Sequence, residues 1–540
     1  MTGQPSSDFE QLLDAGATDA PAPTERGARL DRWWATASLN ADVRRAYTWG
    51  VPALVTAVAA GTRLWNLGHP RELVFDETFY VKDGWSLWNL GYSAQWPETA
   101  NEGFTTGVVN TFTEAGSYVV HPPLGKWLIG GGMAVFGPEN SASWRAATAI
   151  AGILAVLLLF FVAKKLFDST LLGGIAGGLM AIEGNAIVMS RVALLDTFVM
   201  LFALAGFGAI VLDREWSRGR LEGWMASRRA AGRPTDWGPV LWWRPWLLAA
   251  GLAFGLTSSV KWSGFYFLAV FAVYSVVSDV LARRRAGVTF FVSGTLWRQA
   301  PASFLLTVPI AAATLLASWA SWFATSGGYG RQWATLPGNA ATGFFEWVPL
   351  SVQSFLHYQA SVYQYHVSEM RPHSYQANPL TWLFMIRPTS MYYSSSLDCG
   401  ADACGASISG IANPLIWWAA TAALLYLVYR LIRHREWKAG VILTGMLAGY
   451  VPWLLYPNRT VFQFYSIAFE PYMILGLTLV IGLILGTRHD TTWRRETALR
   501  LVLLFFVLAI ALSVFFWPLW TGQSIDYRYL RAHWWFPGWI

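Results

Sequence analysis

The sequence predicts an all-α, polytopic membrane protein. Of its 540 residues 54% are apolar and only 13% are charged, against about 25% charged in a typical soluble domain. The apolar residues gather in runs near the ~20 residues that a bilayer core requires, and mean hydropathy is +0.36. The 32 Trp, 21 Tyr and 32 Phe suit membrane interfaces, where amphipathic rings sit at headgroup level.

Taken in order, residues 1–45 are rich in Ala, Pro, Asp and Arg, show no secretory-signal pattern, and read as a disordered cytosolic tail. Eleven candidate spans follow, at about 46–66, 145–164, 171–188, 195–212, 244–259, 262–281, 302–323, 413–432, 438–456, 463–486 and 499–520. Residues 522–540 form an outer tail. Basic residues set the orientation. Arg44-Arg45, Lys164-Lys165, Arg228-Arg229-Arg233, Arg283-Arg284-Arg285, Arg430-Arg433-Arg435 and Arg494-Arg495 occupy alternate loops, which are expected in the cytosol. The N-terminus is then cytosolic and the C-terminus outside. The net charge of +7 reads as this topological bias rather than as a nucleic-acid surface. Long outer loops cover about 67–144 and 324–412. The first holds two apolar stretches, near 78–90 and 122–136, too short to span and expected as interfacial helices. The only two cysteines, Cys399 and Cys404, lie in the second, where a local disulfide is expected.

Polar residues in such a chain are few enough to weigh singly. Asp76 and Glu77 are adjacent carboxylates in an apolar, aromatic setting, Val74 to Tyr80. A helix N-cap is the ordinary reading of such a pair. The alternative is a base whose pKa rises on desolvation. Lys126 follows His121-Pro122-Pro123 in the first turn of an expected interfacial helix, as a snorkelling cation or a site residue. Arg63, Arg145, Arg191, Lys261 and Arg459 stand at outer ends of spans. Cations are disfavoured there, so some are expected to hold an anionic headgroup, which Arg grips through parallel hydrogen bonds. Asp196 begins the fourth span five residues after Arg191, and the two read as an ion pair. The motifs GxSxG, HExxH, CxxC and Walker A do not occur, and the eight His lack metal-ligand spacing. Transporters place polar residues near the midplane and carry repeats; here the distinctive polar residues gather at one face, and no repeat is evident.

In order and spacing these motifs resemble protein O-mannosyltransferases. The resemblance covers about residues 50–520 and rests on Thr62-Arg63-Leu64, Phe75-Asp76-Glu77, His121 to Lys126, Trp144-Arg145, Ser190-Arg191 to Asp196, and Val260-Lys261-Trp262-Ser263-Gly264. It implies a GT-C type membrane fold with an outward-facing active site in a plasma membrane. It implies a polyprenyl phosphate mannose donor and Ser or Thr acceptors in secreted chains. The second outer loop is too short for the β-trefoil insert of eukaryotic members, so the chain resembles the bacterial, actinobacterial branch. Gln463-Phe464-Tyr465 stands where eukaryotic members tend to have His.

The resemblance implies Asp76 as base and Glu77 as the residue that orients acceptor or donor. Arg63, Arg145, Lys261, Lys126 and Arg459 would bind the donor phosphate, with His121, Arg191, Asp196 and Tyr465 in support. The adjacent carboxylates also suit Mg²⁺ or Mn²⁺, but Arg and Lys can serve instead, and the resemblance favours no metal or other cofactor. A secretion channel is a further partner that such chemistry admits. The rival readings are a GT-C transferase of another lipid-linked sugar (arabinose, aminoarabinose or glucose) and a lipid-sugar transporter.

Overall fold

The computed structural model describes residues 27–395 and 398–540. Helices lie at all eleven expected positions. Among the described residues, six are long and apolar enough to cross a membrane: Ser141–Phe167, Asp196–Ala230, Gly264–Arg285, Phe291–Ser318, Pro414–His434 and Thr492–Thr521. A bent pair, Thr170–Ile182 and Gly184–Arg191, makes seven, with 60° between its halves. Of the other four, Ala41–Leu64 is long but more polar, and Pro245–Val260, Trp437–Gly449 and Glu470–Leu485 are short.

The exposed faces show why these helices need a membrane. Leu501, Leu504, Leu508, Val273, Val277 and Ile432 are all exposed. Soluble monomers do not carry apolar surface of that extent, so the protein is a multi-pass membrane protein. Glu470–Leu485 behaves differently. It is apolar all round and buries twelve of its sixteen residues, as expected for a helix enclosed by others. The bend in the pair falls at Glu183, whose carboxylate accepts from Ala186 N at 2.9 Å and Asn413 N at 2.9 Å. Gly184 packs so closely on Trp520 that a Cβ would stand 2.2 Å from the ring.

Three regions differ from the sequence expectation. The tail expected as disordered over 1–45 is helical where it is described, at Arg29–Ala37 and from Ala41 onward; residues 1–26 lie outside the described residues. Asp31 closes this helix start and pairs with Arg495 at 2.9 Å, tying it to the last long helix. The first outer loop contains the two expected helices, Glu77–Leu90 and Leu124–Phe136, and also Ala100–Thr106. The first two meet backbone to backbone, since a Cβ on Gly130 would stand 2.3 Å from Gly84 O. The second outer loop folds as a helix, Leu350–Ser368, and two antiparallel strands, Ser390–Ser394 and Cys404–Ser409. A third strand, Ile525–Asp526, comes from the C-terminal tail. Cys399 and Cys404 form a disulfide beside these strands.

Candidate active site

The starts of several helices converge on one face. Pro122-Pro123 precede the Leu124 helix, Asp196 opens the Asp196–Ala230 helix, and Lys261 sits in the break before the Gly264–Arg285 helix. Between them lies a cavity of about 190 Å³. His121, Asp196, Lys261, His366 and Arg459 line it together with the apolar Phe265, Phe267, Ala448, Gly449 and Ala468. Trp262, Tyr266, Trp453, Tyr456 and Tyr465 complete the wall.

Lys261 Nζ pairs with Asp196 at 2.7 Å, in a buried contact, and lies 5.0 Å from the centre of the Tyr465 ring. Asp196 was expected to pair with Arg191. The chain turn at Val192 to Leu195 carries it instead to Lys261. Arg459 has no carboxylate partner among the described residues. Its Nη2 lies 3.1 Å from His366 Nδ1, and its buried Nε has no partner. His121 stacks on His366 at 5.4 Å. Its Nδ1 is buried without a partner, and burial together with Lys261 holds it well below the usual imidazole range.

Asp76 is half-buried and does not itself line this cavity. It occupies the N-cap position of the Glu77–Leu90 helix, yet its side chain makes no capping bond. It is close enough to Lys261, Asp196 and Tyr465 to interact with their charges. Burial pushes its pKa up to about 6, with Lys261 opposing and Asp196 adding. The preceding residue, Phe75, has φ +48, a left-handed conformation that costs a bulky residue energy. Its ring is held among Phe462, Phe464 and His373, at 5.7–6.1 Å. This turn points adjacent carboxylates in different directions.

Glu77 is turned inward and is fully buried. It accepts four hydrogen bonds: Arg145 Nε at 2.7 Å, Arg145 Nη2 at 2.8 Å, Ala193 N at 2.8 Å and Val74 N at 3.0 Å. Expected to orient acceptor or donor, it is held here at the helix start that carries Asp76. Arg145, expected at the donor phosphate, is likewise engaged within the protein. Beyond its two bonds to Glu77 it donates to Leu67 O, Pro70 O and Glu72 O. All five of its donors are in use.

Two more expected phosphate ligands are occupied elsewhere. Arg63 is buried and donates to Ala181 O at 3.1 Å and Met180 O at 3.0 Å. Lys126 is buried against Asp83 at 3.1 Å, between the interfacial helices, and faces a separate cavity of about 20 Å³. Arg191, expected in a supporting role, donates to Thr62 O, Arg63 O, Trp65 O and Asn66 O. It caps the end of the first long helix, whose last carbonyls would otherwise be unsatisfied. Of the expected set, the cavity thus brings together His121, Asp196, Lys261, Arg459 and Tyr465, with Asp76 in electrostatic reach of Lys261 and Asp196. Sequence reasoning missed His366, Tyr266, Tyr456 and Trp453. His366 was set aside because it lacked metal-ligand spacing, and the aromatics are indistinguishable in sequence from interfacial ones.

The whole architecture matches that of a solved membrane glycosyltransferase. The Saccharomyces cerevisiae protein O-mannosyltransferase Pmt1-Pmt2 complex bound to the sugar donor aligns with a TM-score of 0.68, at 14% identity, over 91% of this chain and 92% of that one. The fold is therefore of that class. The sequence comparisons place it more closely. Residues 53–323 match the dolichyl-phosphate-mannose-protein mannosyltransferase family, and residues 351–539 match the C-terminal four TMM region of protein-O-mannosyltransferase. A polyprenol-phosphate-mannose–protein mannosyltransferase of Mycolicibacterium smegmatis is 32% identical, over 92% of this chain and 93% of its own length. One from Corynebacterium glutamicum is 30% identical over 98% of both. The chain belongs to the protein O-mannosyltransferase family.

Proposed function

We propose that this protein transfers mannose from a polyprenyl phosphate mannose to Ser or Thr hydroxyls of proteins at the outer face of a plasma membrane. One observation supports the reading within this family: a desolvated carboxylate without a capping bond, Asp76, within electrostatic reach of Lys261 and Asp196, which line a cavity together with Arg459 and apolar side chains.

In this scheme the prenyl chain lies near Phe267 and Gly449, and the phosphate lies by Arg459 and Lys261. The acceptor oxygen attacks carbon 1 of mannose while Asp76 takes its proton. The bond from carbon 1 to the phosphate oxygen breaks, and polyprenyl phosphate leaves with the electron pair. Arg459 and Lys261 stabilise the charge that develops. Configuration inverts, and protonated Asp76 returns its proton to water. Phosphate is a good leaving group, so no general acid is needed. The scheme uses no metal or cofactor. Glu77 is already saturated by Arg145 and backbone N–H groups, which supports a reading in which Asp76 acts without a shared cation.

The outward orientation has support along each helix. The Asp196–Ala230 helix begins at the cavity and ends at Arg228-Arg229; the Gly264–Arg285 helix begins there and ends at Arg283-Arg284-Arg285. Basic residues favour the cytosolic side, which leaves the cavity outside. This orientation rests on the expected eleven spans, with a cytosolic N-terminus. Acceptors would arrive there as secreted chains, delivered by a secretion channel.

The test is transfer from radiolabelled polyprenyl phosphate mannose to a Ser/Thr-rich peptide in membranes. Wild type is expected to label the peptide, and Asp76→Asn to lose roughly 10²-fold or more. Labelling from an arabinose or glucose lipid in place of mannose would overturn the donor assignment.

A further inference from the structure

The cavity's two cations are held in opposite ways. Lys261 is neutralised by Asp196, whereas Arg459 is held by an uncharged ring. His366 Nε2 lies 2.8 Å from Val120 O. A carbonyl only accepts, so that nitrogen carries the proton. Nδ1 is then a lone-pair acceptor, matched to the guanidinium, which only donates. A doubly protonated ring would set N–H against N–H and charge against like charge. The ring plane is fixed as well, by His121 at 5.4 Å and Trp262 at 5.7 Å.

We propose that His366 is a positioning residue for the donor phosphate: its neutral Nε2–H tautomer tethers one end of the Arg459 guanidinium and leaves the remaining donors for the phosphate. The proposal rests on the reading of the cavity as a polyprenyl phosphate sugar site. An acidic partner in place of His366 would hold Arg459 as firmly but would cancel the charge the phosphate needs. A neutral acceptor holds it and leaves the charge intact. Burial pushes the His366 pKa down to about 4; the Val120 bond opposes this, and Arg459 and Lys261 add to it. His121 and Tyr365 are its other ionisable ring neighbours. The tether therefore stays neutral across the range in which Asp76 titrates.

The experiment measures donor KM and kcat for purified wild type, His366→Ala, His366→Lys and His366→Gln, each also in an Arg459→Ala background. Loss of a charge-assisted hydrogen bond predicts a rise in donor KM of roughly tenfold for His366→Ala and more for His366→Lys, with kcat changed less. Gln carries both a donor and an acceptor, so His366→Gln is expected to recover most of the affinity. In the Arg459→Ala background, His366→Ala is expected to add nothing. Wild-type KM in His366→Ala and His366→Lys, or an undiminished effect without Arg459, would overturn the proposal. A wild type that transfers no mannose would instead sink the functional reading. Thermal-shift binding of polyprenyl phosphate to the same variants then still decides the tether.

Discussion

Asp76 and Glu77 are neighbours in sequence with opposite surroundings. Glu77 belongs to a sealed ionic lattice, in which Arg145 and nearby backbone groups satisfy each other completely. Asp76 is within electrostatic reach of Lys261 and Asp196 in a cavity where Arg459 Nε and His121 Nδ1 lack partners, and its own carboxylate makes no capping bond. Buried polar groups are normally satisfied. The first region therefore reads as architecture, and the second as a site waiting for substrate. The difference teaches that charge at this face has two uses, and that hydrogen-bond saturation separates them.

The comparison can be broken from the lattice side first. Arg145→Met leaves Glu77 buried and uncompensated, which should cost about 3–5 kcal/mol of stability. Thermal unfolding in detergent would show it; an unchanged melting temperature would mean that the lattice is not structural. On the cavity side, Arg459→Ala should weaken donor affinity by roughly tenfold to a hundredfold while melting close to wild type. The pH profile sharpens the contrast. As the proposed base, Asp76 would work only when deprotonated, and burial raises its pKa to about 6, above the usual carboxylate range. Activity should therefore fall as pH drops through 6, by about tenfold per unit below it. A flat profile between pH 5 and 8 would contradict this. The smallest effect is expected at the outer strands: replacing Cys399 and Cys404 by Ser should cost at most about 2 kcal/mol of local stability, with transfer unchanged.

Much of this was legible in the sequence. Apolar runs located helices at all eleven positions, because depth along a membrane helix is written in hydropathy. What hydropathy does not carry is which way a side chain turns around the helix axis. Arg63, Arg145 and Arg191 lie at outer span ends and read as phosphate ligands. Apart from the Glu77 carboxylate that Arg145 holds, their partners are mainly backbone carbonyls of residues 62–72 and 180–181, which leave no mark in residue type. The inward turn of Glu77 was not legible for the same reason, since the turn at Phe75 depends on distant rings. Trp437–Gly449 and Glu470–Leu485 read as full spans because the 3-10 segments beside them, Val451–Leu455 and Gln463–Ala468, carry mostly apolar and aromatic residues. The strands escaped notice because Cys404–Ser409 is buried on both faces and shows no alternation.

The most direct measurement compares Asp76→Asn and Glu77→Gln side by side, recording melting temperature and mannose transfer per folded molecule. Because the raised pKa means that ionised Asp76 is held at a cost, Asp76→Asn should melt at or above wild type near neutral pH while losing roughly 10²-fold or more of its activity. Glu77→Gln should melt lower, its folded fraction keeping more activity than Asp76→Asn. The opposite pattern, with Asp76→Asn active and Glu77→Gln stable but inactive, would contradict the division into cavity and lattice and make Glu77 the base.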